Sequence, residues 1–141
     1  MRVLVDLNLI LDVLLDREPH VEDSAALWAA IENDEAEGLV PAHCVTTLHS
    51  LASRSGGRAF ANECVAGVLS VFGVAPVDSA VLEMAVAMQW ADFEDAVCAA
   101  AGQGVGCHLL ATRDLVGFKR AGMPVMTAAE ALRTLRMGMR G

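Results

Sequence analysis

Hydrophobic positions run continuously in some segments of this chain and recur at helical spacing in others, and the two patterns alternate. Residues 2–6, "RVLVD", are an unbroken apolar run closed by a carboxylate, the pattern of a strand buried on both faces. Residues 9–16 predict a short helix ended near "REPH" by Pro19. Between Glu22 and Glu35 the apolar residues Ala25, Leu27, Trp28 and Ile31 recur at helical spacing among charges, an amphipathic surface helix that Gly38 is expected to stop. "GLVPA" then reads as a second strand. Residues 43–54, "HCVTTLHSLASR", predict a helix, "SGGR" a break, and residues 58–72 a further helix with Phe60, Cys64, Val65, Val68, Leu69 and Phe72 toward the core. "GVAPVD" is a third strand, and Asp78 or Ser79 can cap a helix over 79–88. "DFEDAVCAAAG", residues 92–102, opens a helix with acids in its first turn. "CHLLAT" and "MPVMT" are the fourth and fifth strands, and Thr127 caps a last helix carrying Glu130 and Leu132.

Strands alternating with helices at this rhythm imply an α/β fold: a parallel sheet of about five strands with helices on both faces, a three-layer α/β/α sandwich. The length of 141 residues suits one domain, expected over 1–137 with a flexible tail at 138–141. No internal repeat, linker or low-complexity tract interrupts it. Hydrophobic residues are 55% of the chain, enough for a substantial core. No apolar run reaches the ~20 residues of a membrane helix, and no leader pattern opens the chain, so a cytoplasmic protein without membrane contact is expected. The four cysteines, Cys44, Cys64, Cys98 and Cys107, are widely spaced without a C-x-x-C pair, and read as reduced core thiols in preference to a disulfide or a zinc site.

The formal net charge of −8 argues against a broad basic surface for duplex nucleic acid. It leaves room for a nucleic-acid substrate at a site whose positive charge comes from a metal. The positions of the acids bear on this. In a doubly wound sheet ligands sit outside the carboxyl ends of the strands. Strand one ends in Asp6, with Asn8 and Asp12 beyond it, and strand four ends in Thr112, with Asp114 two residues later. Asp92, Glu94 and Asp95 open the helix that feeds strand four, so they too fall at the carboxyl edge. Asp6, Asp95 and Asp114 are therefore expected to converge. Packed carboxylates repel unless a cation joins them, and oxygen ligands suit Mg²⁺, which can activate a water for attack on a phosphate. Simpler readings stand beside this one. Acids in a first helical turn suit the helix dipole, Asp12 suits a solvent-facing helix position, and Asp114 suits an ordinary turn.

These residues resemble a family. "VLVDLNLILDVL" is similar to the opening strand and helix of PIN domains, with Asp6, Asn8 and Asp12 at the polar places of that motif. "DFEDAVCAAAG" is similar to a helix start in one bacterial branch of the family, and "LLATRDLVGFKRAGMPVMTAAEAL" looks like its closing segment. The resemblance runs from about residue 2 to 133. It implies an α/β/α sandwich and a Mg²⁺- or Mn²⁺-dependent ribonuclease, in bacteria often the toxin of a toxin–antitoxin pair. Carried over by position, Asp6 is the first acid, Asp95 the third and Asp114 the fourth, and these three hold the metal. Asp92 is an extra acid at the margin, and Asn8 and Thr112 hold the backbone and acids in place. The family's second acid, a Glu early in the helix after strand two, is missing here, and the nearest polar candidates are Thr46, Thr47 and His49.

Arg113 and Lys119, with Arg120, follow strand four close to these acids and are candidates for contact with RNA; for Arg54 and Arg58 a solvated helix end and loop is the preferred reading. His43 and His49, six residues apart, do not share a helical face, so no paired zinc site is expected. "GQGVG" follows a helix and precedes a strand, the wrong order for a phosphate loop. Trp28 and Trp90 read as core or interface anchors. The expected activity is cleavage of single-stranded or loop RNA by metal-activated water, with a small antitoxin protein and a second copy of the chain as partners. The rival reading is a catalytically impaired PIN-like regulator that binds RNA or protein.

Overall fold

The apolar run at the start of the chain forms β1 (Arg2–Val5), the central strand of the sheet. A computed structural model describes residues 1–140, with side chains to residue 138. Its five strands are all parallel: β1, β2 (Glu37–Pro41), β3 (Gly73–Ala75), β4 (Leu109–Ala111) and β5 (Val125–Met126), in the spatial order β3-β2-β1-β4-β5. Val3 pairs with Gly38 on one side and Leu109 on the other. Six helices complete the chain: α1 (Leu7–Leu14), α2 (Val21–Glu32), α3 (Ala42–Val71), α4 (Ser79–Met88), α5 (Phe93–Gly104) and α6 (Ala128–Arg140).

The continuous apolar pattern of β1 follows from burial on both faces. Val3, Val5, Leu109 and Ala111 pack into one core with Leu9, Ile10, Leu27 and Ile31. Leu4 and Leu110 point the other way, into a second core built on Phe118 and the alanines of α5. Ala96, Ala99, Ala100 and Ala101 are all fully buried, and a Cβ on Gly102 would come within 2.6 Å of Leu4. Small side chains thus let α5 lie close against the sheet, and its connection into the parallel strand β4 puts its amino terminus at the carboxyl edge.

Several expectations are corrected. Gly38 does not stop α2; the helix ends at Glu32, followed by Asp34 at φ 62°. Gly38 lies within β2, where a Cβ would sit 2.8 Å from both Ile31 and the Phe72 ring, so glycine is there for close packing. The two helices expected over 43–54 and 58–72 both form, labelled together as α3 and separated by a sharp kink at Gly57. Its φ of 88° and ψ of 174° are non-helical and suit glycine, so the "SGGR" break falls where the sequence places it. The Thr127–Glu130 capping box forms: the Thr127 N–H donates to Glu130 Oε1 (3.1 Å), and the Glu130 N–H to Thr127 Oγ1 (3.2 Å). From it α6 runs on through 138–140, part of the expected tail, while Gly141 lies outside the described residues.

Asp12 is not solvent-facing. It is fully buried, and its carboxylate accepts from Arg17 Nε (3.1 Å), Ser24 Oγ (3.2 Å) and Arg113 Nη2 (3.2 Å). A buried carboxylate needs such partners. Asp12 therefore ties α1 to α2 and to the segment after β4.

Candidate active site

From β1 the chain steps outward to β2 and β3, then returns to the far side of β1 as β4. The strand order reverses between β1 and β4, and ligands bind at such switch points beyond the carboxyl ends of the strands. Asp6 and Thr112 occupy the two strand ends there, and the Asp6 N–H bonds the Ala111 carbonyl at 3.0 Å. Asp6 is also the N-cap residue of α1, yet its carboxylate makes no capping bond. Oδ2 instead accepts from the Thr112 hydroxyl at 2.8 Å. Thr112, fully buried, also accepts the Asp114 N–H on Oγ1 at 3.0 Å. One hydroxyl thus sets the carboxylate that follows β1 and the backbone turn that follows β4.

Two further acids come from the start of α5. Asp92 is its N-cap, accepting the Asp95 N–H on Oδ1 at 3.0 Å. Asp114 accepts the Gly117 N–H at 2.9 Å, and a Cβ at Gly117 would collide with its carboxylate. Asp92, Asp95 and Asp114 line a cleft of about 290 Å³ together with Trp90, Lys119 and Arg120. Trp90 is fixed edge-on against Phe118, 6.1 Å between ring centres.

The electrostatics show how closely the carboxylates are placed. The pKa of Asp95 is pushed up to about 7, first by burial, then by the charges of Asp92, Asp6 and Asp114. Asp6 is also raised, chiefly by burial and further by Asp114, against the lowering effects of the Thr112 hydrogen bond and Arg113. Four carboxylates from three segments thus stand within reach of one another's fields. That donor set suits a hard divalent cation, which would relieve their repulsion. Among the described residues, no three of these carboxylates have oxygens that all lie within 4.8 Å of one another.

Other residues singled out in the sequence are placed elsewhere. Asn8 is exposed; its backbone carbonyl accepts from Arg17 Nη2 at 3.1 Å, and no hydrogen bond links it to Asp6. The Thr46 hydroxyl donates to the His43 carbonyl of its own helix at 2.8 Å. Arg113 is engaged by Asp12, which leaves Lys119 and Arg120 as the cations that line the cleft.

Sequence reasoning missed a neighbouring group. His43 and Cys44, in the first turn of α3, meet Cys98 in the second turn of α5. The sulfurs of Cys44 and Cys98 are 3.6 Å apart, and His43 Nε2 is 3.4 Å from Cys98 Sγ and 3.8 Å from Cys44 Sγ. The hydrogen bond between the two thiols lowers the pKa of Cys44 and raises that of Cys98. The hydrogen bond with Cys44 likewise raises His43. Spacing along the chain could not reveal this group, although Cys98 stands one turn beyond Asp95 on a helix already assigned to the carboxyl edge.

A family model described as "PIN domain" matches residues 2–115. The chain belongs to the PIN-domain family. Solved structures share the fold of this PIN domain. VapC20 of Mycobacterium tuberculosis, a sarcin–ricin loop cleaving toxin, is 20% identical, with a TM-score of 0.68 over 86% of this chain and 95% of its own. FitAcB from Neisseria gonorrhoeae is 19% identical, with a TM-score of 0.69 over 89% and 97%. VapBC-1 from nontypeable Haemophilus influenzae is 11% identical, with a TM-score of 0.70 over 91% and 98%. A sequence search of curated proteins finds no match. The PIN domain has no helix, among the described residues, long and apolar enough to cross a membrane.

Proposed function

We propose that this PIN domain is a metal-dependent endoribonuclease that cleaves single-stranded or loop RNA, and that it is the toxin of a toxin–antitoxin pair. The observation that carries the reading is the set of carboxylates Asp6, Asp92, Asp95 and Asp114 at the switch point, close enough to push Asp95 up to about 7. Asp6, Asp95 and Asp114 would hold Mg²⁺ or Mn²⁺, which when bound supplies Lewis acidity and a more acidic water. Thr112 orients Asp6 by donating to Oδ2, and so fixes the lone pairs left for the ion. Asp92 holds the first turn of α5 and adds negative charge at the margin. Lys119 and Arg120, which line the same cleft as Asp92, Asp95 and Asp114, would supply the positive charge for a phosphodiester. The open cleft suits unpaired RNA, whose bases can be splayed apart. The toxin reading draws on the fold shared with VapC20. An antitoxin would offer a basic or apolar segment to the acidic cleft, and a second copy of the chain is a further expected partner.

One observation favours the rival, an impaired PIN-like regulator: the first turns of α3 contain no carboxylate. One assay separates the two. End-labelled single-stranded RNA is incubated with the protein in Mg²⁺ or Mn²⁺, beside Asp6→Asn and Asp95→Asn. Cleavage by the wild type that falls about 100-fold or more in each variant is the expected result, since each change removes a proposed metal ligand. Wild-type protein that leaves RNA intact and shows no Mn²⁺ binding in calorimetry at millimolar metal would favour the regulator. Equal cleavage by all three proteins would remove the acids from the mechanism.

A further inference from the structure

We propose that His43, Cys44 and Cys98 form a binding site for a thiophilic d¹⁰ cation, Zn²⁺ in the first place, separate from the carboxylates that would take Mg²⁺ or Mn²⁺. Among the described residues this is the one trio of potential ligands whose donor atoms all lie within 4.8 Å of one another. The distances carry the argument. Zinc binds thiolate sulfur at about 2.3 Å and imidazole nitrogen at about 2.0–2.1 Å, so tetrahedral angles place two such sulfurs about 3.8 Å apart and a sulfur and a nitrogen about 3.6 Å apart. The corresponding separations here are 3.6 Å for the sulfurs and 3.4 and 3.8 Å for His43 Nε2 to each of them. An ion could enter with shifts of a few tenths of an ångström.

The sulfurs are the polar contacts of His43 Nε2, and thiols are weak hydrogen-bond groups, so a metal–nitrogen bond there would displace little. The three ligands come from rigid elements: His43 and Cys44 from the start of α3, and Cys98 from the second turn of α5. Both sulfurs are buried and free of disulfides. Three protein ligands leave a fourth position for water, the pattern of open zinc sites. Soft sulfur donors discriminate against Mg²⁺, and carboxylate oxygens suit it. The two sites therefore sort metals by chemistry although they share one edge of the sheet.

Cobalt substitution tests this without reference to nuclease activity, so its failure would leave the ribonuclease reading untouched. Reduced, metal-stripped full-length protein is titrated with Co²⁺. The expected result is a thiolate-to-cobalt charge-transfer band with tetrahedral visible bands, saturating at one equivalent and bleached by one equivalent of Zn²⁺. Cys44→Ser and Cys98→Ser should each lose about half of the charge-transfer intensity, one thiolate of two. Cys64→Ser and Cys107→Ser should leave it intact. Thiol counting on the wild type covers the case in which a serine variant fails to fold: Zn²⁺ should shield two of the four cysteines from a thiol reagent, beyond any shielding in its absence. Absence of the band, or a band unchanged in both Cys44→Ser and Cys98→Ser, would overturn the proposal. So would unchanged thiol reactivity with Zn²⁺, including the case in which Cys44 and Cys98 simply oxidise to a disulfide.

Discussion

At the scale of single residues, Thr112 has the most consequences for its size. Its hydroxyl donates to Asp6 and accepts from the Asp114 backbone, so one side chain couples two of the proposed metal ligands. Thr112→Val keeps the shape and removes both bonds. A hydrogen bond to a charged group is worth about 1.5–3 kcal/mol, so RNA cleavage should fall about tenfold or more. Circular dichroism should remain native, and calorimetry should place the loss in Mn²⁺ affinity. Asp12, by contrast, belongs to the scaffold: it is fully buried, bound by Arg17, Ser24 and Arg113, and does not line the cleft. The sequence showed both residues in polar positions, but spacing alone could not separate a buried ion pair from a solvent-facing helix acid.

At the scale of elements, α5 joins folding to chemistry. Its alanines let it lie close to the sheet, and its connection into the parallel strand β4 puts Asp92, Asp95 and Cys98 toward the carboxyl edge. Asp92 has two separable duties, since it caps the helix through the Asp95 N–H and adds charge beside the acids. Ser keeps the cap and Ala does not. Asp92→Ala should therefore lower stability by about 1 kcal/mol in denaturant unfolding, with Asp92→Ser near wild type. If the charge also contributes, both variants should cleave RNA more slowly to the same extent. Element existence was readable from periodicity, including the caps at Asp78 and Thr127. Element ends were readable only in part: the "SGGR" break falls at Gly57 as its glycines suggest, whereas the place of Gly38 depended on Ile31 and Phe72 closing over β2.

At the scale of the whole molecule, the carboxylates form a set that only the fold assembles, and their repulsion makes metal and stability interdependent. The pKa of Asp95 is raised in the folded chain from 3.8 to about 7, so the native state holds that proton more tightly than the unfolded state does. The associated stability is complete below 3.8 and is lost as pH rises through about 7. In EDTA, Asp95→Asn should therefore gain on the wild type in melting temperature as pH rises across that window, with no further gain above it. Mn²⁺ should raise the wild-type melting temperature at the alkaline end and act much less on Asp95→Asn, because binding to the folded state alone stabilises it. Differential scanning fluorimetry across pH, with and without Mn²⁺, measures both effects.

The sequence by itself determined the α/β class, the central place of the opening apolar run, and the carboxyl edge as the place where Asp6, Asp95 and Asp114 belong. These follow from local periodicity and from the rule that a helix feeding a parallel strand starts at that strand's carboxyl edge. Tertiary structure decided which polar atoms meet. It buried Asp12 among arginines, turned Thr46 back on its own helix, and brought His43 and Cys44 against Cys98 across more than fifty residues of chain. The reason is that periodicity specifies which face of an element is apolar, whereas a bond between side chains depends on how closely two elements pack. Here the small residues of α5 set that distance, and nothing in the spacing of the cysteines along the chain encodes it.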